Sequence, residues 1–437
     1  ASRKDSKLSF KIGFAPAAGS EYAVSYYRQD GEKGQPPSTD PAAARYWRWP
    51  YWDKESLYFL SDTALGASES LKLRLYFDRY GNEVDSYTDG TYTTLRTSGR
   101  GSVSTGRSIY ADRTDGGSIA LESVRFARHS LRVVGHYKSD EHRERDANGT
   151  LGSHYEDELL SIGAEARFDL GSRTALSFGA AHHELKPKVV FNAGNPYSLP
   201  GSLSATDAQA GVYFAWSPAA RLHLTVARKS RLPTLKDRYS ARLGTFIENP
   251  SLGREVAINY ELGLRGNPWE RAELATAIFY SDISDKIQAV RNVQGNLSQM
   301  QNIGEVRAAG VELEWHVMPA AWLEFGGAFT YLDIDNRSNP GVRITDVPAH
   351  KLTAHALLRP PFPVELVAFA ERDSSRWSSD VANLDGFTVL NLKAVYRAPR
   401  GASLEFGVDN VTDEAYALSD GFPAAGRSWF ATARFRF

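Results

Sequence analysis

The sequence predicts an all-β fold, a transmembrane antiparallel β-barrel that takes up the whole chain, residues 1–437. Three observations predict it: apolar and polar residues alternate along many segments, short turns alternate with long polar connections, and aromatic residues make up 12% of the chain. Successive side chains of a strand point to opposite faces, so this alternation gives each strand an apolar face for lipid and a polar face for a lumen.

Residues 256–264 and 403–409 show the alternation clearly. In the second segment Leu404, Phe406 and Val408 share one face, and the residues between them are small or polar. Residues 8–14 and 71–77 repeat the pattern. No run of 18 or more apolar residues occurs, so the sequence predicts no transmembrane helix.

The connections between these segments alternate in length, which is typical of an outer-membrane barrel with short periplasmic turns and long extracellular loops. Short turns are expected at 15–20, 65–68, 169–172, 217–220 and 398–401. Long connections are expected at about 30–51, 79–114, 139–157, 185–206, 230–252, 283–303 and 334–347. Roughly nineteen strands result. A soluble β-sandwich or propeller also has many short strands, but it would not usually sustain this asymmetry.

Composition excludes several classes of function. The net charge is -1, with 51 Lys+Arg against 52 Asp+Glu, so the basic footprint of a nucleic-acid-binding protein is missing. The chain has no cysteine, which excludes disulfides and Cys-ligated metals. No nucleophile elbow, phosphate-binding loop or HExxH motif occurs. We therefore predict no catalytic residue, no metal site and no cofactor.

An aromatic and cationic segment in an outer connection is the first candidate ligand site. Aromatic faces and guanidinium groups together can hold flat, anionic or π-rich ligands by stacking and cation–π contacts, and iron chelates of catecholate or hydroxamate type fit that description. Alternatively, the rings form the interfacial girdle or pack the loop against its neighbours. The candidate residues are Arg45, Tyr46, Trp47, Arg48, Trp49, Tyr51 and Trp52.

A second, basic cluster lies in another outer connection. It could attract an anionic ligand or bind lipopolysaccharide phosphates, and the alternative is an ordinary solvated loop. Arg231 and Arg238 are the candidate ligand-binding residues among its members, which are Arg228, Lys229, Arg231, Lys236, Arg238 and Arg242.

Two other polar features carry weaker expectations. His182 and His183 are neighbours on a strand and should face opposite sides, so they are poor partners for one metal. The charge run at 140–145 is expected to be a solvated strand end.

Four stretches in the second half of the chain resemble motifs of TonB-dependent outer-membrane receptors. Residues 406–413 with Tyr416 read FGVDNVTD and resemble the family's VDNLFD segment. Residues 421–428, before the closing strand, resemble its GYP.PGRS stretch. Residues 302–314 resemble NIGKARIRGVELE, and residues 231–263 resemble its RPPTL, NPNLKPE and YELG segments in order.

This resemblance implies a 22-stranded barrel whose lumen is filled by an N-terminal plug. Our roughly nineteen strands correspond to the last nineteen, so the plug, the segment that contacts the TonB-type energy-transducing protein, and about three strands are expected to lie outside this chain. In the family the plug is held by polar groups of the lumen wall. The expected plug-contacting residues are Lys72, Arg74, Glu312, Glu314, Arg434 and Arg436.

The function implied by the resemblance is energy-coupled uptake of a scarce nutrient across the bacterial outer membrane. The expected ligand is a small metal chelate, a ferric siderophore, with haem, cobalamin, a copper complex or another cofactor as rivals. Outer-membrane lipid and lipopolysaccharide are expected to surround the barrel. A passive or engineered pore without a plug, and a barrel enzyme, are the alternatives.

Overall fold

The chain forms one long antiparallel sheet with short elements at its outer end, as seen in a computed structural model. The structure describes residues 2–41, 43–99, 105–126, 129–379, 381–398 and 401–435. Arg436, one of the expected lumen residues, and the terminal Phe437 lie outside the described residues.

Nineteen long strands and the short β3 make up the main sheet of twenty strands. The strands up to the middle of the chain are β1 (Arg3–Ala17), β2 (Ser20–Gly34), β3 (Tyr46–Trp49), β4 (Trp52–Ala64), β5 (Glu69–Tyr87), β6 (Arg107–Phe126), β7 (His129–Asp146), β8 (Leu151–Leu170), β9 (Thr174–Asn192), β10 (Leu203–Ser217) and β11 (Ala220–Arg231).

The remaining elements follow after a short helix, and the outer connections carry several short strands. They are α1 (Leu235–Tyr239), β12 (Phe246–Ile247), β13 (Glu255–Gly266), β14 (Ala272–Ser284), β15 (Ile287–Gln294), β16 (Leu297–Asn302), β17 (Val306–Ala320), β18 (Leu323–Asn336), β19 (His350–Leu358), β20 (Val364–Asp373), β21 (Arg376–Trp377), β22 (Asn383–Leu384), β23 (Phe387–Arg397), β24 (Ser403–Asp409), β25 (Ala417–Ser419), β26 (Phe422–Pro423) and β27 (Ser428–Arg434). No helix in the described part of the chain is long and apolar enough to span a membrane.

Each long strand pairs with the next long strand along the chain, always antiparallel. This consecutive order is that of an up-and-down barrel sheet. β1 and β27 are the two edge strands, and no pairing joins them among the described residues. The predicted fold class and strand number are confirmed.

The outward face of the sheet is apolar, as the alternation predicts. Leu404 is 53% exposed and Phe406 is 54% exposed, whereas the next residue, Gly407, is buried under the lumen-side ring of Phe430. Ile258, Tyr260 and Leu262 are exposed in the same way. Because exposed apolar side chains of this density are unfavourable in water, this face is the one that lies against lipid.

One side of the sheet is much taller than the other. β5 to β9 have 18 to 20 residues each, whereas β19, β20, β23, β24 and β27 have 7 to 11. A tilted strand crosses the bilayer in about 9–11 residues, so β5 to β9 continue beyond the membrane. We call this extension the outer wall.

The outer wall corrects two of the predicted connections. The connection expected at about 79–114 is only 88–106, and the one expected at 139–157 is a turn of residues 147–150. The charge run at 140–145 forms the partly exposed outer end of β7, which ends at Asp146, as the sequence predicts. Outside the bilayer a strand is not required to have an apolar face, so the alternation disappears there although the strands continue.

Candidate ligand-binding site at the outer mouth

The lumen face of the outer wall can be assigned from register. Leu75 of β5 is exposed on the lipid side, so even-numbered residues of β5 face the lumen. Lys72 accordingly forms ion pairs across the lumen face with Glu122 on β6 and Asp62 on β4. Towards the outer end, Tyr80 lies on this same face.

Three tryptophans continue this lumen face above the membrane. Trp52 is paired with residue 82 of β5, and Trp49 is paired with Lys33 of β2. The Trp52 ring lies 5.0 Å from that of Tyr80 and 6.0 Å from that of Trp49, and the Trp47 ring is 6.2 Å from Trp49. All three contacts are edge-to-face, a favourable geometry for aromatic pairs.

A lysine sits among these rings. The Nζ atom of Lys33 is 3.1 Å from the ring centroid of Trp52 and 4.6 Å from that of Trp49. Burial, with the nearby charge of Arg3, lowers the pKa of Lys33. We call Trp47, Trp49, Trp52, Tyr80 and Lys33 the tryptophan cluster. It combines aromatic edges and faces with one cation at the mouth, which suits a flat or anionic chelate.

Three other residues of the predicted aromatic segment face away from the lumen. Tyr46 and Arg48 alternate with the tryptophans on β3, and Arg48 is paired with Asp85 of β5. The Arg48 guanidinium lies 4.0 Å from the ring centroid of Tyr92. Tyr51 is likewise near the outward Gly81. The segment expected to be one loop is therefore a short strand, and its candidate residues are divided between two faces. The Arg45 guanidinium lies 5.1 Å from the ring centroid of Trp47.

A second row of rings lines the lumen face farther around the wall. Tyr155 of β8 stacks on Tyr239 of α1, with ring centroids 4.3 Å apart and planes 7° apart. On its other side Tyr155 is parallel to His142 of β7 at 6.3 Å. The Nδ1 atom of His142 lies 2.5 Å from Asp112. Burial lowers the pKa of His142, but the hydrogen bond and charge of Asp112 outweigh it, so the net pKa is raised.

The helix α1 is fixed to the wall by a buried ion pair. Arg238 is 1% exposed and its guanidinium pairs with Asp157 of β8, which is 4% exposed. Burial raises the pKa of Asp157 to about 6, although Arg238 opposes that shift. A capping box between Thr234 and Asp237 starts the helix.

The two arginines predicted to bind ligand thus have different surroundings. Arg238 is enclosed and already paired, so in this arrangement it is not exposed to a ligand in the mouth. Arg231 is half exposed and contacts Asp237 at 2.9 Å. A ligand role of either stays a prediction, and the structure favours Arg231 as the accessible one.

Sequence reasoning missed most of the residues around α1. Tyr155, Asp157 and Tyr239 come from different connections, and only folding brings them together. Their signal in the sequence was weak, because single tyrosines and aspartates occur throughout the chain. Lys33 was also missed as a site residue.

The expected lumen residues do face the lumen wherever the structure describes them. Lys72 contacts Glu122 at 2.7 Å, and Arg434 lies 4.0 Å from Glu405. Arg74, Glu312 and Glu314 are exposed and have no ion pair with another described residue. Whether these residues contact a plug stays a prediction.

Two histidine-containing groups remain. His182 contacts Thr206 of β10, and His183 contacts Ser161 of β8, each by Nδ1. On the outward face of the outer wall, Glu141, His154 and Glu156 place one ligand atom each within 4.8 Å of one another. A guanidinium already occupies this group, because Arg143 pairs with Glu141 and approaches His154.

Comparison with known proteins identifies the family. The family described as "TonB dependent receptor-like, beta-barrel" matches residues 2–411. The chain belongs to this family. Its members are receptors and not enzymes, and the barrel lies in the bacterial outer membrane.

Two further comparisons show how far the similarity reaches. A protein named vitamin B12 transporter BtuB, from Vibrio vulnificus (strain YJ016), is 25% identical over 213 residues, which cover 47% of this chain and 33% of that protein. The match thus spans about a third of the relative's length.

Among solved structures, the copper transporter OprC superposes on this receptor chain with a TM-score of 0.81 at 16% identity, covering 100% of this chain and 72% of that one. The ferric citrate transporter FecA has a TM-score of 0.80 at 13% identity, with 99% and 70% covered. At these identities the likeness shows the fold alone.

Proposed function

We propose that this chain is the barrel part of a receptor for energy-coupled uptake of a scarce nutrient, and that the nutrient is a ferric siderophore. The family match over residues 2–411 carries the proposal of nutrient uptake. The tryptophan cluster supports the choice of ligand, because rings around a cation suit the flat, anionic face of a catecholate or hydroxamate iron complex. Cobalamin and copper complexes are the rivals, since relatives carry those names.

In the proposed mechanism the ligand enters from outside and rests against the lumen face of the outer wall. Trp49 and Trp52 supply stacking area and Lys33 supplies positive charge. An energised TonB-type protein then acts through a plug to open a path. The copper transporter structure is longer than this chain, which covers 72% of it. That difference supports assigning the plug and the first strands to the remainder of the receptor.

The ligand assignment can be tested by fluorescence. Ferric siderophores of catecholate and hydroxamate type, cobalamin and a copper chelate are titrated separately into the full receptor in detergent. We expect one iron complex to quench tryptophan emission in a saturable way. Trp52→Ala should weaken its binding by about 2 kcal/mol, or roughly thirtyfold, as expected for a buried aromatic anchor.

A matched control is available at the opposite end of the barrel. Trp322 is 52% exposed in the turn between β17 and β18, so Trp322→Ala should leave affinity unchanged. Saturable binding of cobalamin or copper alone would refute the siderophore assignment. Equal loss of affinity in both variants would refute the location of the site.

The plug proposal has its own test. Arg74, Glu312 and Glu314 have no ion-pair partner among the described residues, so they are available to groups of the opposite charge on a plug. We expect the full receptor to be silent in a planar bilayer. The double variant Glu312→Lys, Glu314→Lys should show openings, whereas Glu273→Lys, whose carboxylate is already paired with Arg265, should not. A steady open current from the unaltered receptor would instead support a passive pore.

A further inference from the structure

A groove lies on the lipid-facing side of the barrel, where the strands are short, and it is separate from the ligand site. It has a volume of about 700 Å³. One row of residues crosses four strands within it, because Phe329 pairs with Leu352, Leu352 with Arg372, and Arg372 with Thr388. Directly paired residues of neighbouring strands lie on the same face, so these four side chains form one continuous line.

This line faces outward, near the outer end of the strands. Tyr331, two residues beyond Phe329, is 38% exposed, and Leu366 and Leu392 share the alternation of Arg372 and Thr388 and are each 42% exposed. His350 begins β19 and Arg372 is next to the end of β20. The groove therefore lies where the outer leaflet meets water.

Three polar side chains of the groove are available. Arg372 is exposed and makes no ion pair or hydrogen bond with another described residue. The His350 ring rests on Tyr331, 5.0 Å between centroids, and its nitrogens are likewise not bonded to described groups. Glu414 lines the same groove from the last outer connection. The groove thus offers a permanent cation, an imidazole and the Glu414 carboxylate at the edge of a membrane. Its other carboxylate, Asp373, is already paired with Arg376.

Below these groups the surface is shallow. Ala354 pairs with Ala370, and Ala356 with Ala368, on the same outward face as Leu352 and Arg372. Aromatic side chains of β18 stand on one side of this alanine floor and Leu392 of β23 stands on the other. A floor of methyl groups between larger side chains leaves room for an extended acyl chain.

We propose that this groove binds lipid A, the acylated sugar phosphate of the outer leaflet. The phosphate binds Arg372 and His350, since a guanidinium is a strong partner for phosphate oxygens. Sugar hydroxyls donate to Glu414, and an acyl chain covers the alanine floor. A headgroup with phosphate alone would leave the Glu414 carboxylate unpaired beside it, which favours the sugar phosphate. The proposal rests on the outer-membrane location and not on the nutrient.

The test uses the full receptor, purified in detergent and titrated by native mass spectrometry with four probes. These are diphosphorylated lipid A, dephosphorylated lipid A, phosphatidylglycerol and inorganic phosphate. We expect Arg372→Gln to lower affinity for diphosphorylated lipid A by about tenfold or more, the effect of losing a charged hydrogen bond. His350→Gln should lower it by less. Inorganic phosphate should not be retained.

The matched control is Arg113→Gln. Arg113 is also outward, but it lies on the outer wall and is already paired with Asp115, so its loss should leave lipid A binding unchanged. Unaltered affinity in both Arg372→Gln and His350→Gln would overturn the proposal, as would equal binding of dephosphorylated lipid A. Equal binding of phosphatidylglycerol would overturn the choice of a sugar phosphate. Siderophore binding measured on the same samples separates these outcomes from failure of the proposed function.

Discussion

The ion pair that holds α1 against the outer wall gives a quantitative prediction, tested by Arg238→Met. Arg238 is 1% exposed and is paired with the 4% exposed Asp157. Methionine has similar length and is flexible enough to fill the space of the arginine stem. It carries no charge, so Asp157 is left as a buried carboxylate without its cation.

Removing one partner of a buried ion pair costs about 3–5 kcal/mol, because the remaining charge is desolvated without compensation. Since about 1.4 kcal/mol corresponds to a factor of ten, the connection at 232–254 should leave the wall about two to four orders of magnitude more often at pH 7.

The cost should depend on pH with a definite sign. Burial raises the pKa of Asp157 to about 6 in the folded chain, from 3.8, and removal of Arg238 should raise it further. The docked state then binds more protons than the undocked state between these pKa values, so docking weakens as pH rises through this range. The variant should therefore be most defective at pH 7–8 and should recover progressively as the pH falls towards 3.8, the pKa of the undocked carboxyl.

Hydrogen exchange measured by mass spectrometry on the receptor in detergent reports this local opening directly. The double variant Asp157→Asn, Arg238→Met has no buried charge at this position, so it should recover most of the protection. Arg231→Met is the matched control, because its half-exposed pair with Asp237 is worth at most about 1 kcal/mol. Unchanged exchange in Arg238→Met, or exchange in the double variant as fast as in the single one, would refute the reasoning.

Three further predictions concern other parts of the barrel. A Cβ atom at Gly407 would lie 2.3 Å from the Phe430 ring, so Gly407→Ala should destabilise the barrel by about 1–3 kcal/mol in urea unfolding. Adding Phe430→Ala to this variant should restore part of the lost stability. Because the pKa of His142 is raised, an NMR titration should give a midpoint above 6.5, and this midpoint should fall in Asp112→Asn. The pair of His142 with Asp112 contributes its full stability below pH 6.5, and that stability is lost as the pH rises through the folded pKa of His142. Lys72→Met should change stability by no more than about 1 kcal/mol, because its side chain is 42% exposed; a larger change would show that the lumen there is shielded from water.

The fold could be predicted because a barrel in lipid imposes a two-residue rhythm on every spanning segment. Leu404, Phe406 and Ile258 face outward as their spacing requires, and the number of strands follows from counting such segments. The resemblance of four stretches to the receptor family was also readable from the sequence, and the match over residues 2–411 confirms it.

What the sequence could not determine lies above the membrane. There the requirement for an apolar face ends, so β7 and β8 continue through charged residues and the outer wall went unrecognised. Composition pointed to the aromatic run at 45–52, but only the pairing of β3 with β2 and β5 decided that its tryptophans face the lumen while Tyr46 and Arg48 face outward.

The sequence by itself therefore determined the class of fold, the membrane-facing side of each strand and the family, because these depend on periodicity and local motifs. Only the tertiary structure decided which residues meet at the mouth. Asp157 and Arg238 are separated by 81 residues of chain, and Leu352, Arg372 and Thr388 come from three strands. Such contacts are set by strand register and by how the outer connections fold back, and neither leaves a local mark in the sequence.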